Sequence, residues 1–238
     1  MKTATLLFIS ICLFSCRNAP QTSSPGSQQP AVTDHIITAN EQSSMSPDSI
    51  ILLLKKGNRN FYQHKLTAKN DSARIVLTAH GQFPMAVILS CIDSRVPAEE
   101  VFDQGIGDLF VARVAGNIVN EDILGSMEYA CKVAGAKVIM VLGHEHCGAI
   151  KAAVDNVKMG NVTALLNKIQ PAVDAVKITG LRSSKNESLV HDAAQKNVAL
   201  AIKNIRAGSK ILAQFEKEKK LKIIGGMYDL DSGKITFY

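Results

Sequence analysis

Runs of consecutive apolar residues mark two strands in this chain, at 85–90 and 138–142. Their uninterrupted apolar, β-branched character predicts burial on both sheet faces. A different spacing precedes them. Ile50, Leu53, Leu54, Gly57 and Phe61 recur on one helical face behind Ser46-Pro47, a capping residue followed by a first-turn proline. Further helices are predicted over 72–79, 121–134, 146–157, 164–176, 188–205 and 209–219, the last with a stripe of Ile211, Leu212 and Phe215. Strands are predicted at 109–114, 222–228 and 234–238, the final pair joined by Asp231-Ser232-Gly233. Strands alternating with helices predict an α/β fold, a central, mainly parallel β-sheet flanked by helices. In such folds sites form beyond the carboxyl ends of the strands.

The first 45 residues follow neither pattern. Lys2 precedes an apolar segment, Leu6 to Phe14, too short to span a bilayer comfortably, and 1–15 reads as a signal peptide. Leu13-Phe14-Ser15-Cys16 resembles a bacterial lipobox, which would make Cys16 the lipid-bearing mature terminus; the other reading is a plain secretory signal with an incidental cysteine. No Ala-x-Ala-like site follows, which favours the lipid. Residues 16–45 are rich in Gln, Ser, Thr, Pro and Asn, a composition that buries too little to offset ordering entropy, and read as a disordered tether. A coil of about 28 residues would span roughly 30 Å. A lipid-anchored or periplasmic protein of a bacterial cell envelope is expected, with a folded domain over 46–238.

The chain is basic, with a formal charge of +6. Some of that excess sits at Lys217, Lys219, Lys220 and Lys222, interrupted by Glu216 and Glu218, and reads as a solvated helix end. Trp is absent and no basic stripe is interleaved with aromatics, so no nucleic-acid partner is expected. Beyond the signal and Cys16, three cysteines remain: Cys91, Cys131 and Cys147. That is no disulfide framework. Cys131, among small apolar neighbours in a predicted helix, reads as an inert core thiol.

Two clusters follow the two apolar runs: Cys91-Ile92-Asp93-Ser94-Arg95 and His144-Glu145-His146-Cys147-Gly148. Two thiols and an imidazole delivered from the ends of two buried strands make a three-ligand zinc site, provided the two strands are neighbours. The spacing of His144 and Cys147 lets both reach one metal at a strand-to-helix junction, where the helix terminus favours thiolate. Gly143 and Gly148 flank them and permit tight turning. Two readings stand on these residues. In one, Asp93 is a fourth ligand and the zinc only braces the fold. In the other, Arg95 holds Asp93 as a bidentate pair and the fourth position stays open for water, which gives Asp93 the part of a gate. Two thiolates would leave the bound water less acidic and activity higher on the alkaline side. His146 reads as a solvated loop residue, with a proton relay as the second reading. His191 lies in a polar helix stretch without a ligand pattern.

These motifs, with Gly116-Asn117, Phe102-Asp103-Gln104-Gly105, Asp108-Leu109-Phe110-Val111, Ser126-Met127-Glu128-Tyr129-Ala130 and Gly226-Met227-Tyr228-Asp229-Leu230, resemble a β-class carbonic anhydrase over about residues 46–238. The resemblance implies one zinc per subunit on Cys91, His144 and Cys147, with Asp93 and Arg95 as the catalytic dyad and Gln104 and Gly148 at the substrate site. It implies a lyase, a carbonate dehydratase, in which zinc-bound hydroxide converts carbon dioxide reversibly to bicarbonate and a proton. It implies a homodimer or homotetramer with sites near the subunit interface. Some members of that family carry an inhibitory bicarbonate site built on a Trp; here Ile88 occupies that position and the site is not expected. Two rival functions remain: hydrolysis of carbon disulfide or carbonyl sulfide on the same fold, and a non-catalytic zinc-binding envelope lipoprotein.

Overall fold

In a computed structural model, residues 34–238 are described. The signal segment 1–15, Cys16 and the chain up to residue 33 lie outside them. Five strands form one sheet in the order β2-β1-β3-β4-β5. They are β1 Ala86–Ser90, β2 Leu109–Arg113, β3 Val138–His144, β4 Lys222–Tyr228 and β5 Ile235–Phe237. The first four run parallel, and β5 returns antiparallel on β4.

Strands β1 and β3 are buried along their whole length, as their continuous apolar runs require. Period-two alternation sends their side chains into two cores. On one face Val87, Leu89, Ile139 and Val141 pack with Val198, Ala201 and Ile205 of helix α8, Glu187–Gly208. On the other, Ala86, Ile88, Met140 and Leu142 pack with Phe102 and with Ile50 and Leu54 of helix α2, Pro47–Tyr62. Each fully buried Val, Leu, Ile, Met or Phe among them is worth about 1.5–3 kcal/mol. Helix α2 starts where the sequence predicts, with Ser46 and Ser49 in a reciprocal cap and Pro47 in the first turn. Its predicted stripe holds at Ile50, Leu54 and Gly57, while Leu53 lies at the edge, exposed. Gly57 lets the helix touch the loop below: a Cβ there would stand 1.7 Å from the Phe102 carbonyl oxygen.

The tether boundary needs correction. Residues 34–45 belong to the folded unit. Helix α1, Ala39–Ser44, is closed by a Thr38–Glu41 capping box. Gln42 is buried and donates to the carbonyls of Pro84 and Ala134, both at 2.8 Å. Asp34 pairs at 2.6 Å with Arg74 of helix α3, Asp71–Thr78, and Arg74 also meets Asp108 at 3.0 Å. The polar composition that reads as disorder goes here into a cap, two hydrogen bonds from buried Gln42 and an ion pair, while Ile37 packs on the core.

Other differences are smaller. A short helix α4, Ala98–Val101, was not anticipated. The helix predicted over 121–134 is α5, Glu121–Glu128, ending in a π turn, Tyr129–Val133. Helices α6 Gly148–Val154, α7 Gly160–Asp174 and α9 Lys210–Lys217 complete the layers around the sheet. Among the described residues, no helix is long and apolar enough to cross a membrane.

Candidate metal centre

Strands β1 and β3 are neighbours in register, Ser90 opposite Leu142, so both deliver their next residues to the same edge. Cys91 follows β1, His144 ends β3, and Cys147 caps α6. β3 thus runs further than predicted, through His144, and α6 starts later. The reversal between them is made by His146, whose φ of 51° is left-handed. The ligand atoms of Cys91, His144 and Cys147 lie within 4.8 Å of one another, and all three residues are buried.

The donor set fits a metal ion. His144 Nδ1 lies 2.8 Å from the Glu145 carbonyl oxygen, which can only accept, so Nδ1 carries the proton. Nε2 then offers a lone pair; it is buried and has no hydrogen-bond partner. An orphaned buried acceptor is costly, and a cation would satisfy it. The thiols make the same case. Hydrogen bonds from Cys147 and the Gly116 N–H pull the Cys91 thiol well below its usual range, although burial opposes them. Cys147 is pushed up by its hydrogen bond to Cys91 and by burial. Two buried sulfurs this close keep one proton between them; a dication is what would release both.

The surrounding chain holds the cluster. Gly116 donates its N–H to Cys91 Sγ at 3.4 Å, and its carbonyl accepts from buried Asn197 of α8 at 2.7 Å. Arg113, the last residue of β2, donates to the carbonyls of Cys91 at 3.0 Å and Asp93 at 2.5 Å. Asp93 is gripped by Arg95 in a fork, Nε to Oδ1 at 2.9 Å and Nη2 to Oδ2 at 2.8 Å, with the Arg95 backbone N–H on Oδ1 at 3.0 Å. The Arg95 guanidinium holds this carboxyl well below the usual carboxylate range, so it is ionised at neutral pH. Asp93 Oδ2 also stands 3.8 Å from His144 Nε2.

The other predicted residues fall differently. Gly148 opens α6 beside Cys147 and is exposed, with nothing within 4 Å of an added Cβ. Gln104 is not brought to the cluster within one chain. It precedes β2 at the amino end of the sheet, and its amide donates to the Phe102 carbonyl at 2.8 Å. Ile88 is fully buried in the second core. Cys131 is buried, its thiol pushed up to about 12 by desolvation, consistent with an inert core residue. His146 is exposed. His191 was given no partner from sequence, yet its Nδ1 meets the Glu145 carboxylate at 2.8 Å, behind the His144 carbonyl contact. Arg113 and Asn197 were likewise missed. A single Arg at a strand end and a single Asn in a helix carry no periodic signal; only register shows what they reach.

A buried Cys–His–Cys trio able to hold a metal ion thus stands at the carboxyl edge of a parallel sheet, with an Arg-held carboxylate beside it. The carbonic anhydrase family model matches residues 86–235, and the chain belongs to that family. It is 36% identical to carbonic anhydrase 2 of Mycobacterium tuberculosis over 190 residues, 76% of this chain and 87% of that protein. A Coccomyxa β-carbonic anhydrase superposes with a TM-score of 0.63 at 27% identity, covering 79% of this chain and 85% of the other. One of two tetrameric β-carbonic anhydrases of Sordaria macrospora shares the fold with a TM-score of 0.62 at 23% identity, over 80% and 96% of the two chains.

Proposed function

We propose that the chain catalyses the reversible hydration of carbon dioxide to bicarbonate and a proton, as a zinc-dependent carbonic anhydrase with one zinc per subunit. The observation that carries this reading is the buried trio with its unpartnered His144 Nε2, next to a carboxylate that Arg95 keeps off the cluster. Cys91, His144 and Cys147 would hold the metal, which when bound would supply a Lewis acid able to bring a water within reach of ionisation near neutral pH. Asp93, ionised and acceptor-only, takes a hydrogen bond from the attacking water and orients it. Arg95 holds the Asp93 carboxylate away from the cluster. The exposed, side-chain-free Gly148 leaves room for substrate beside Cys147. The relatives give no support to either rival, hydrolysis of carbon disulfide or carbonyl sulfide, or zinc binding without catalysis.

The proposal includes a homodimer, or a homotetramer built from it. β2 is an edge strand, only half-buried, and Phe110 and Val111 border an open cavity of about 710 Å3 with exposed Tyr129 on its rim. A two-fold axis at that edge would run two β2 strands antiparallel. The amino end of one, near Gln104, then meets the carboxyl end of the other, near the metal trio, which would restore Gln104 to a substrate role. For the terminus, Lys2, the apolar run after it and Leu13-Phe14-Ser15-Cys16 support lipidation of Cys16 and a place in the bacterial envelope, lipid-anchored or periplasmic. Mass spectrometry of the mature terminus tests this: acylated Cys16 supports it, an unmodified terminus elsewhere overturns it.

Stopped-flow carbon dioxide hydration by the zinc-loaded full chain, beside Asp93→Ala and Arg95→Ala, tests the dyad. Each substitution is expected to lower kcat at least ~100-fold, the lower end of general acid–base effects. A dyad variant with wild-type kcat would refute the assignment.

A further inference from the structure

Asp93 stands near two competing places. Its carboxylate is on Arg95, and its Oδ2 is 3.8 Å from His144 Nε2. Two nitrogen or oxygen ligands of one tetrahedral zinc, each about 2.0–2.2 Å from it, stand about 3.3 Å apart. The carboxylate is therefore within about half an ångström of ligand spacing, and a small shift of its loop would carry it there.

Arg95 alone does not set that loop. Arg95 and Asp93 share one tight turn, closed by the Val96 N–H on the Asp93 carbonyl at 3.1 Å. The fork between them moves with the turn. Ile92, between Cys91 and Asp93, is 61% exposed and supplies no packing anchor. Arg113 is rooted elsewhere. It lies in β2 opposite Ser90 of β1, and its guanidinium bridges the carbonyls on either side of Ile92. One rigid cation thus ties the metal-ligand residue, the gate residue and the sheet edge together.

We propose that Arg113 is a positioning residue that fixes the Cys91–Asp93 loop to β2 and thereby keeps the Asp93 carboxylate on Arg95 and off the metal cluster. The inference rests on the reading of Asp93 as a gate given above. Arg113 touches no reacting atom in this role; it acts through Asp93. Its fork, Nε on one carbonyl and Nη2 on the other, is a geometry that a lysine cannot reproduce with one ammonium.

The test reads access to the metal rather than turnover. The full chain is loaded with cobalt(II) and titrated with azide, followed by visible absorption. An internal ligand that occupies the position part of the time lowers apparent affinity by the fraction of competent protein. Arg113→Met is expected to weaken azide binding about 10-fold, with partial recovery on adding methylguanidinium. In an Asp93→Asn background, where the competing carboxylate is gone, Arg113→Met is expected to have no further effect. Wild-type azide affinity in Arg113→Met, or equal weakening in the Asp93→Asn background, overturns the proposal. Should Arg113→Met fail to fold, Arg113→Lys carries the test, with weakened binding expected and wild-type affinity overturning it. A wild-type chain that binds azide yet hydrates no carbon dioxide would remove the proposed function and leave the role of Arg113 standing.

Discussion

Replacing Gly116 with Ala should damage both the fold and the metal centre. Gly116 has a φ of 68°, which costs an alanine about 1–2 kcal/mol. The new Cβ would stand 2.6 Å from Ile169 Cδ1 and 3.2 Å from Ala149 Cβ. Ile169 is fully buried, so it cannot swing into solvent, and overpacking of this kind costs about 1–3 kcal/mol. Together these give about 2–5 kcal/mol, or a Tm lower by about 4–20 °C for a domain of about 200 residues. If the peptide tilts to escape, its N–H leaves Cys91 Sγ, and zinc affinity falls about 10–100-fold, as it does when partners of metal ligands are lost. Thermal unfolding with and without chelator reads the first effect, and competition with a chromophoric chelator reads the second. Gly148→Ala is the control, since an added Cβ meets nothing within 4 Å. A Gly116→Ala protein that melts within about 1 °C of wild type and holds zinc equally well would refute the reasoning.

The remaining predictions concern the scaffold. Asp103 is buried and accepts from Asn60, Thr67 and Lys69, which hold its carboxyl below the usual range against its burial. Asp103→Asn should cost about 2–4 kcal/mol at pH 7 in urea unfolding, because Lys69 loses its buried partner. A depressed folded pKa stabilises above the unfolded value and is lost as pH falls through the folded one, so the difference between the two proteins should shrink below about pH 4; a difference constant from pH 7 to 3 would contradict this. Gln42→Ala should cost about 1–3 kcal/mol by leaving the Pro84 and Ala134 carbonyls unpaired, and a neutral result would return residues 34–45 to the tether.

The metal trio was legible because its chemistry is carried by residue type at strand ends, and two unbroken apolar runs announced those ends. The adjacency of β1 and β3 was the one condition sequence could not supply, and the register Ser90 to Leu142 supplies it. Residues 34–45 were misread because composition counts polar side chains without knowing their partners. Gln42 looks like a solvated residue until Pro84 and Ala134 are beside it. Arg113 and Asn197 were invisible for the same reason: each acts on main-chain atoms far away in sequence, and main-chain atoms have no sequence signature. Gln104 lies at the amino end of β2, and one chain alone does not carry it to the cluster.

The most direct test of the central claim is carbon dioxide hydration by the full chain, stripped of zinc and then titrated with it. The account predicts a rate that rises with zinc, saturates at one equivalent per chain, and is absent in Cys147→Ala. A fully loaded chain that hydrates no faster than buffer, or a stripped chain that keeps its rate, would contradict it.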